Sequence, residues 1–326
     1  MSHPDPSLHG VVPPELAGRR LDQALAAMFG DYSRARLQAW IRAGRVQVND
    51  RTLRARDRVQ GGDRIRLEPE AERETRWLPQ ALPLDIVHED EDLIVVNKPP
   101  GLVVHPAAGN PDGTLVNALL HHAPELERLP RAGIIHRLDK DTSGLLVVAR
   151  TPRAHTALVR QLQAREVLRE YRAVVCGVMP AGGTVEAPVG RHPVHRTRMA
   201  VTGGGRGAVT HYRVLERFRA HTLVSLRLET GRTHQIRVHL AHIRYPVTGD
   251  PVYGGRLRLP PQATPELAAV LRGFRRQALH AARLGLAHPA GGGFLEWSAP
   301  LPEDMAALVA ALRADAGAPA GDAAAR

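Results

Sequence analysis

Between Gly133 and Arg150 the chain reads GIIHRLDKDTSGLLVVAR, and this stretch limits the possible folds more than any other. Two apolar runs, Ile134-Ile135 and Leu145 to Ala149, have the character of buried strands. Between them lie His136, Arg137, Asp139, Lys140, Asp141, Thr142 and Ser143. A crowded ionisable segment flanked by buried strands is a place where desolvation and nearby cations shift a carboxylate's pKa. Such a carboxylate is a candidate catalyst, not only a solvated surface charge.

The rest of the chain bounds what that catalyst acts on. At 326 residues there is enough chain for a well-buried core and two domains. The net charge of +11 makes an acidic polymer the natural partner. Aromatics are only 4%, which argues against an extended base-stacking platform. Cys176 is the single cysteine, so neither an intrachain disulfide nor a thiolate metal cluster is expected, in keeping with a reducing cytoplasm. No apolar run has transmembrane length, and MSHPDPSLHG lacks a signal-peptide core. Basic charge without a membrane segment favours nucleic acid over lipid. With no long apolar stripe to suggest a partner subunit, a monomer is expected.

Residues 1–14 read as a flexible polar arm, and 15–69 as a small RNA-binding unit. Leu21, Leu25 and Met28 share one helical face. Ser33 is a plausible N-cap for a second helix that Gly44 stops. VQV (Val46 to Val48), an Asn49-Asp50 turn and RIRL (Arg64 to Leu67) read as short strands. The second helix region carries Arg34, Arg36, Arg42 and Arg45. Charge of a single sign on so small a unit favours RNA contact over a merely solvated face. Residues 70–83 read as a charged, proline-flanked linker, 84–315 as the catalytic domain and 316–326 as a disordered tail. In the large domain LIVVN, LLVVAR, YRAVVCG and HTLVSLRLET read as strands. HTALVRQLQAR, PELAAVLRGF and DMAALVAALRA read as helices. The strands do not alternate regularly with helices, which predicts an α+β fold on a mixed, mostly antiparallel sheet.

Two resemblances sharpen this reading. RRLDQALA, SRARLQAWIRAGRVQVND and GDRIRL resemble the alpha-L RNA-binding motif of a small-subunit ribosomal protein. HRLDKDTSG and GRTHQIRVH, with HPAAGNPDGTLVNALLHH, RHPVHRTRMAV, GDPVYGG and RQALHAARL, resemble the RluA-type pseudouridine synthases over nearly the whole large domain. That resemblance implies isomerisation of uridine without cofactor or metal. The implied substrate is large-subunit ribosomal RNA, at a stem-loop near the subunit interface, free or in a precursor particle. Another ribosomal site or transfer RNA is the alternative. It assigns Asp139 as the carboxylate that attacks the uridine, at the uracil ring or at the sugar. Arg137 would enter the RNA stack and hold the target base flipped out. Tyr171 would stack on the uracil and is a candidate for removing the carbon 5 proton. Arg232 would pair with Asp139, and Ile236 would pack beside the base.

Other readings are open at this level. Arg191, His192, His195, Arg196 and Arg198 form a basic loop suited to RNA phosphates. Lys98, on a Pro-Pro corner, reads as a turn lysine, and Asp141 as a structural partner near its turn. His234, His239 and His242 have mixed spacing and no cysteine or acidic neighbour, which argues against zinc. Asp139-Lys140-Asp141 matches the start of an aspartyl-phosphate enzyme, but the basic second half of the domain lacks the acidic metal ligands that chemistry needs. A kinase reading of His136-Arg137 fails for want of a glycine-rich nucleotide loop. A non-catalytic RNA-binding assembly factor would suit the charge equally well. Only the set of Asp139, Tyr171 and Arg232 argues for chemistry.

Overall fold

A computed structural model describes residues 7–30, 32, 34–69, 77–107, 109–195 and 197–317. Ser33, Arg196, residues 70–76 of the expected linker and 318–326 of the expected tail lie outside these. The chain divides into two compact units, the second beginning at Trp77.

The first unit contains β1 (Leu8–Val11), α1 (Leu21–Met28), α2 (Arg34–Arg42), β2 (Val46–Val48) and β3 (Arg64–Leu67). Its antiparallel sheet has the order β1-β3-β2. Part of the segment read as a flexible arm is therefore a strand, Leu8 to Val11, paired with Leu67 to Arg64. Leu21, Leu25, Leu37 and Trp40 build the core beneath the sheet. The α2 stop follows from Gly44, at φ +73. Its N–H bonds Ile41 O and the next N–H bonds Trp40 O, closing the helix end. Asn49 and Asp50 both adopt positive φ, as a tight turn requires.

The second unit opens with β4 (Ile86–Glu89), β5 (Leu93–Lys98), α3 (Leu115–His122), β6 (Ser143–Ala149), α4 (Pro152–Ala164) and β7 (Leu168–Cys176). It continues through β8 (Gly183–Glu186), β9 (Val189–Arg191), β10 (Met199–Val201), β11 (Val209–Arg217), β12 (His221–Leu228) and α5 (Gln235–His242). It closes with α6 (Pro265–Gly273), β13 (Leu279–Ala287), β14 (Phe294–Ser298) and α7 (Glu303–Gly317). The main sheet runs β4-β5-β6-β13-β7-β12-β11-β8, with β14 also on β13. Every pairing is antiparallel except β13 with β6, so the sheet is mixed and mostly antiparallel, as expected. β9 and β10 form a separate hairpin.

All seven residues of β6 are buried, because both sheet faces are covered. Leu146 and Val148 join Ile94 and Val96 of β5 in the larger core. Leu145 and Val147 join Leu93 and Val95 in the smaller core on the other face. Helix α4 starts where the Thr151 hydroxyl accepts from Ala154 N, with Pro152 in the first turn.

Three boundaries differ from the sequence reading. Trp77 packs on the larger core, and Gln80 N–H bonds Asn117 O, so the end of the expected linker belongs to the second unit. Helix α7 runs to Gly317, past the expected start of the tail. Ile134-Ile135 is not a strand, since positive φ at Arg131, Ala132 and Gly133 turns the chain and leaves one isolated bridge, Ile134 to Val148.

Gly144 permits the one parallel contact. Its φ is +112, and a Cβ there would lie 2.2 Å from Ala281 O. Gly144→Ala is expected to destabilise the protein by roughly 2–4 kcal/mol through strain and backbone clash. A urea midpoint unchanged from the parent would contradict this account.

Candidate active site

The polar segment after Gly133 is shaped by its backbone contacts. Gly133 lies so close to Ala149 O that a Cβ would be 2.0 Å away. Thr142 N–H bonds Asp139 O at 3.1 Å, closing a turn over Asp139 to Thr142. Lys98 sets the other side of this turn. It is almost fully buried, and its ammonium donates to Pro99 O, Leu102 O and Lys140 O at 2.8–2.9 Å. It is thus no solvent-facing turn lysine, since it ties the Pro-Pro corner to the residue following Asp139. Burial lowers its pKa to about 7, opposed by the charges of Asp141 and Asp139. Asp141 meets a distant segment through its carbonyl, which accepts from Arg276 Nη1.

Asp139 meets α5 across this turn. Arg237 Nη1 donates to Asp139 Oδ2 at 2.9 Å. The same guanidinium holds Asp250 bidentately, Nε to Oδ2 at 2.7 Å and Nη2 to Oδ1 at 2.9 Å. Arg237 and Asp250 are buried, while the Asp139 side chain is 20% exposed to the cavity. The two carboxylates raise the Arg237 pKa against the opposing effect of burial. The expected partner, Arg232, is elsewhere: its Nε donates to Gly207 O at 3.2 Å. The reason lies in the helix start. His234 takes a left-handed φ of +56 and α5 begins at Gln235, so Arg237 is in the first turn and Arg232 in the preceding loop.

His234 approaches Asp139 from the same side, Nε2 to Oδ1 3.8 Å. Its Nδ1 is 2.8 Å from the Tyr253 hydroxyl, which accepts from Met199 N. Burial first, then the Arg237 and Arg137 charges, lower the His234 pKa, and Asp139 opposes them. His239 points away, bonded to Thr210 Oγ1 and Ala187 O. Among the described residues no group of three or more His, Cys, Asp or Glu could hold a metal ion.

Asp139 lies in a cavity of about 630 Å³, a volume suited to a small ligand. Tyr171, Leu138, Ile236 and Leu279 supply its apolar lining. Tyr171 is held in mid-strand, paired with Leu226 of β12 and Ala281 of β13. Burial raises its pKa, with Arg169 acting against that and Asp139 adding to it. Arg137 is exposed and also lines the cavity. The sequence-selected Asp139, Tyr171, Arg137, Ile236 and Arg232 therefore all line one site. Arg191 and Arg198 do not; they belong to the β9–β10 hairpin region and are exposed. In the first unit, Arg34 bonds the buried Asp22 at 2.6 Å and Arg36 stacks over Trp40 at 4.8 Å. Arg42 is exposed and donates to Gln38 O.

Arg237, Asp250, His234 and Tyr253 were given no role by the sequence reading. Their signal was present in GRTHQIRVH and GDPVYGG, but choosing between two arginines needs the helix phase.

The RNA pseudouridylate synthase family matches residues 92–242, and the S4 domain matches 19–65. The chain belongs to the RNA pseudouridylate synthase family and is an enzyme of that class. It is 59% identical over 304 residues to ribosomal large subunit pseudouridine synthase D of Pseudomonas aeruginosa, covering 93% of this chain and 95% of that protein. To the protein of the same name in Escherichia coli K12 it is 58% identical over 299 residues, 91% and 92% of the two chains. The solved structure of human RNA pseudouridylate synthase domain containing 4 is similar too, with TM-score 0.56 and 29% identity, over 70% of this chain and 92% of that one.

Arg237→Met should destabilise the protein by roughly 3–5 kcal/mol, because it strands the buried Asp250 carboxylate. Arg232→Gln should cost less than about 1 kcal/mol. Equal urea midpoints for the two variants would refute the assignment of the ion pair.

Burial lowers His136 to about 3 and His105 to about 4. Both folded values lie below the ordinary 6.5, so the unfolded chain binds protons first as pH falls. The stability from these neutral imidazoles is complete above pH 6.5 and is lost as pH drops toward 4 and then 3. Each should contribute a slope of up to about 1.4 kcal/mol per pH unit. Denaturant melts across this range check it, and His136→Gln should flatten the lower part.

Proposed function

We propose that this enzyme isomerises uridines of large-subunit ribosomal RNA, with Asp139 as the catalytic carboxylate. The observation that carries the reading is the Asp139 carboxylate, bonded by Arg237 and facing a cavity partly lined by Tyr171 and Ile236. The relatives named for this activity support the choice of RNA.

The reaction breaks the bond from uracil nitrogen 1 to the ribose and rejoins the ribose to carbon 5. Carbon 5 then loses a proton and nitrogen 1 gains one, so the product is an isomer. An ionised carboxylate can capture the intermediate at the ring or at the sugar. The Arg237 guanidinium holds one oxygen of that carboxylate by a hydrogen bond and fixes its direction. Tyr171 and Ile236 provide the face and floor that keep a detached uracil from leaving. Tyr171 would act in removal of the carbon 5 proton as a relay, passing its own hydroxyl proton on toward nitrogen 1 as it accepts that one. The target must leave the RNA stack at a cost of a few kcal/mol, and exposed Arg137 is the side chain placed to fill the gap.

The reaction is redox-neutral and draws its positive charge from arginines, so it calls for neither metal nor cofactor. We place it in the cytoplasm, where ribosomal RNA matures, with a single chain as the working unit. Among the described residues no helix is long and apolar enough to cross a membrane. Arg191, Arg196 and Arg198, with Arg34, Arg36 and Arg42, add RNA-binding charge.

Asp139→Asn should abolish tritium release from carbon-5-labelled, unmodified large-subunit transcript while retaining RNA binding. Tyr171→Phe should slow release by roughly a hundredfold or more. Full turnover by Asp139→Asn would end the assignment, and preferential release from labelled transfer RNA would redirect the substrate.

A further inference from the structure

The cavity has a second chemical region, away from the Asp139 pair. Strand β12 ends at Leu228, and the chain then turns through Glu229 to Gly231 beside Arg169 of β7. Gly231 comes so close that a Cβ there would be 3.0 Å from Arg169 Nη1. Arg169 is 8% exposed and lines the cavity, and among the described residues it has no carboxylate partner. Its Nε is buried with no hydrogen-bond partner among the described residues, and the bond from Nη2 to Glu229 O is long at 3.4 Å. A buried guanidinium left this way is costly unless an anion completes it.

Arg165, Arg206 and Arg232 are among the other arginines that line the same cavity. Burial first, then the charges of Arg206 and Arg165, lower the Arg232 pKa, which places these cations within each other's field. The carboxylate among them is Glu229, and both of its oxygens are engaged. Oε2 accepts from Arg165 at 2.6 Å and Oε1 meets His211 Nε2 at 2.7 Å. Four arginines thus face one committed carboxylate. At the other end, Asp139, Arg237 and Asp250 sum to one negative charge.

We infer that Arg169, Arg206 and Arg232 form a phosphate-binding subsite that seizes the RNA phosphodiester next to the nucleotide held at Asp139. The ligand is an anionic phosphodiester oxygen, matched to the fork geometry of guanidinium. Arg169 binds it in the desolvated interior, and Arg206 and Arg232 hold it from the more exposed rim. Arg165 remains with Glu229 and steadies the turn. This rests on the proposed RNA substrate and adds to it the groups that position the strand.

The test measures equilibrium binding of unmodified large-subunit transcript in the Asp139→Asn background over a range of salt. Arg206→Gln and Arg232→Gln should each weaken binding roughly threefold to tenfold, and the double variant should reduce the log–log salt slope by up to about 0.7–0.9, the one phosphate the cluster neutralises. In the active protein, Arg169→Met should lower the single-turnover rate at saturating RNA by about a hundredfold, and Arg169→Lys should recover most of it. A thermal melt separates misfolding from loss of the contact, and the two rim variants carry the test if Arg169→Met does not fold. An unchanged affinity and salt slope in the double rim variant, or a folded Arg169→Met with the parent rate, would overturn the subsite. Binding reports on the subsite even if the parent forms no pseudouridine, so failure of the proposed function would be seen separately.

Discussion

A single guanidinium, that of Arg237, joins three segments far apart in sequence. It bonds Asp139 from the polar turn before β6 and Asp250 from the chain after α5, while itself belonging to the first turn of α5. Two carboxylates brought this close would tend to repel. The shared cation removes that tendency, and its planar fork fixes the direction of each carboxylate. A lysine could supply the charge but not both geometries. Asp250 is fully committed, since it also accepts from Val252 and Tyr253 N–H, whereas Asp139 keeps an oxygen toward the cavity. One acid is therefore a strut and the other is free to react.

The supports around this pair are mostly buried polar groups satisfied by backbone. Gln235 is the clearest case. Its carbonyl accepts from Thr230 Oγ1 and Arg232 N, and its amide donates to Val209 O and Thr210 Oγ1. That one side chain closes the turn between β12 and α5 and so sets the direction in which Arg237 leaves the helix. Lys98 does the same for the opposite wall, with three carbonyls gathered around one ammonium. Networks satisfied to this degree specify one arrangement, because any alternative leaves a buried donor without a partner.

Much of this was legible in the sequence, and the misses have physical causes. The runs at Leu93, Leu145, Tyr171 and His221 declare their strands because β-branched and aliphatic residues dominate them. Strand β13, at the centre of the sheet, hides in LHAARLGLA, whose alanines, glycine and histidine carry little strand signal. Asp139, Arg137, Tyr171 and Ile236 could be selected from motif and residue type, and they do share a cavity. The Asp139 partner could not, because Arg232 and Arg237 sit five positions apart in one motif. Only the left-handed turn at His234 decides which of them faces the carboxylate. Arg34 shows what a charge count misses, since its partly exposed guanidinium also bonds the buried Asp22.

The choice between those two arginines also separates two electrostatic tasks. Uracil is neutral, and in the proposed reaction the carboxylate that attacks its nucleoside needs a partner that orients it without occupying both of its oxygens. Arg237 meets this because half of its fork is already held by Asp250. The phosphate strand that carries the nucleoside needs the reverse, cations with no carboxylate to satisfy them. Had Arg232 paired with Asp139, one group would have had to serve both ends. In the proposed reading, Arg237 on the helix faces Asp139 while Arg232 on the loop before it is left for the phosphate strand, so the two contacts do not draw on one group.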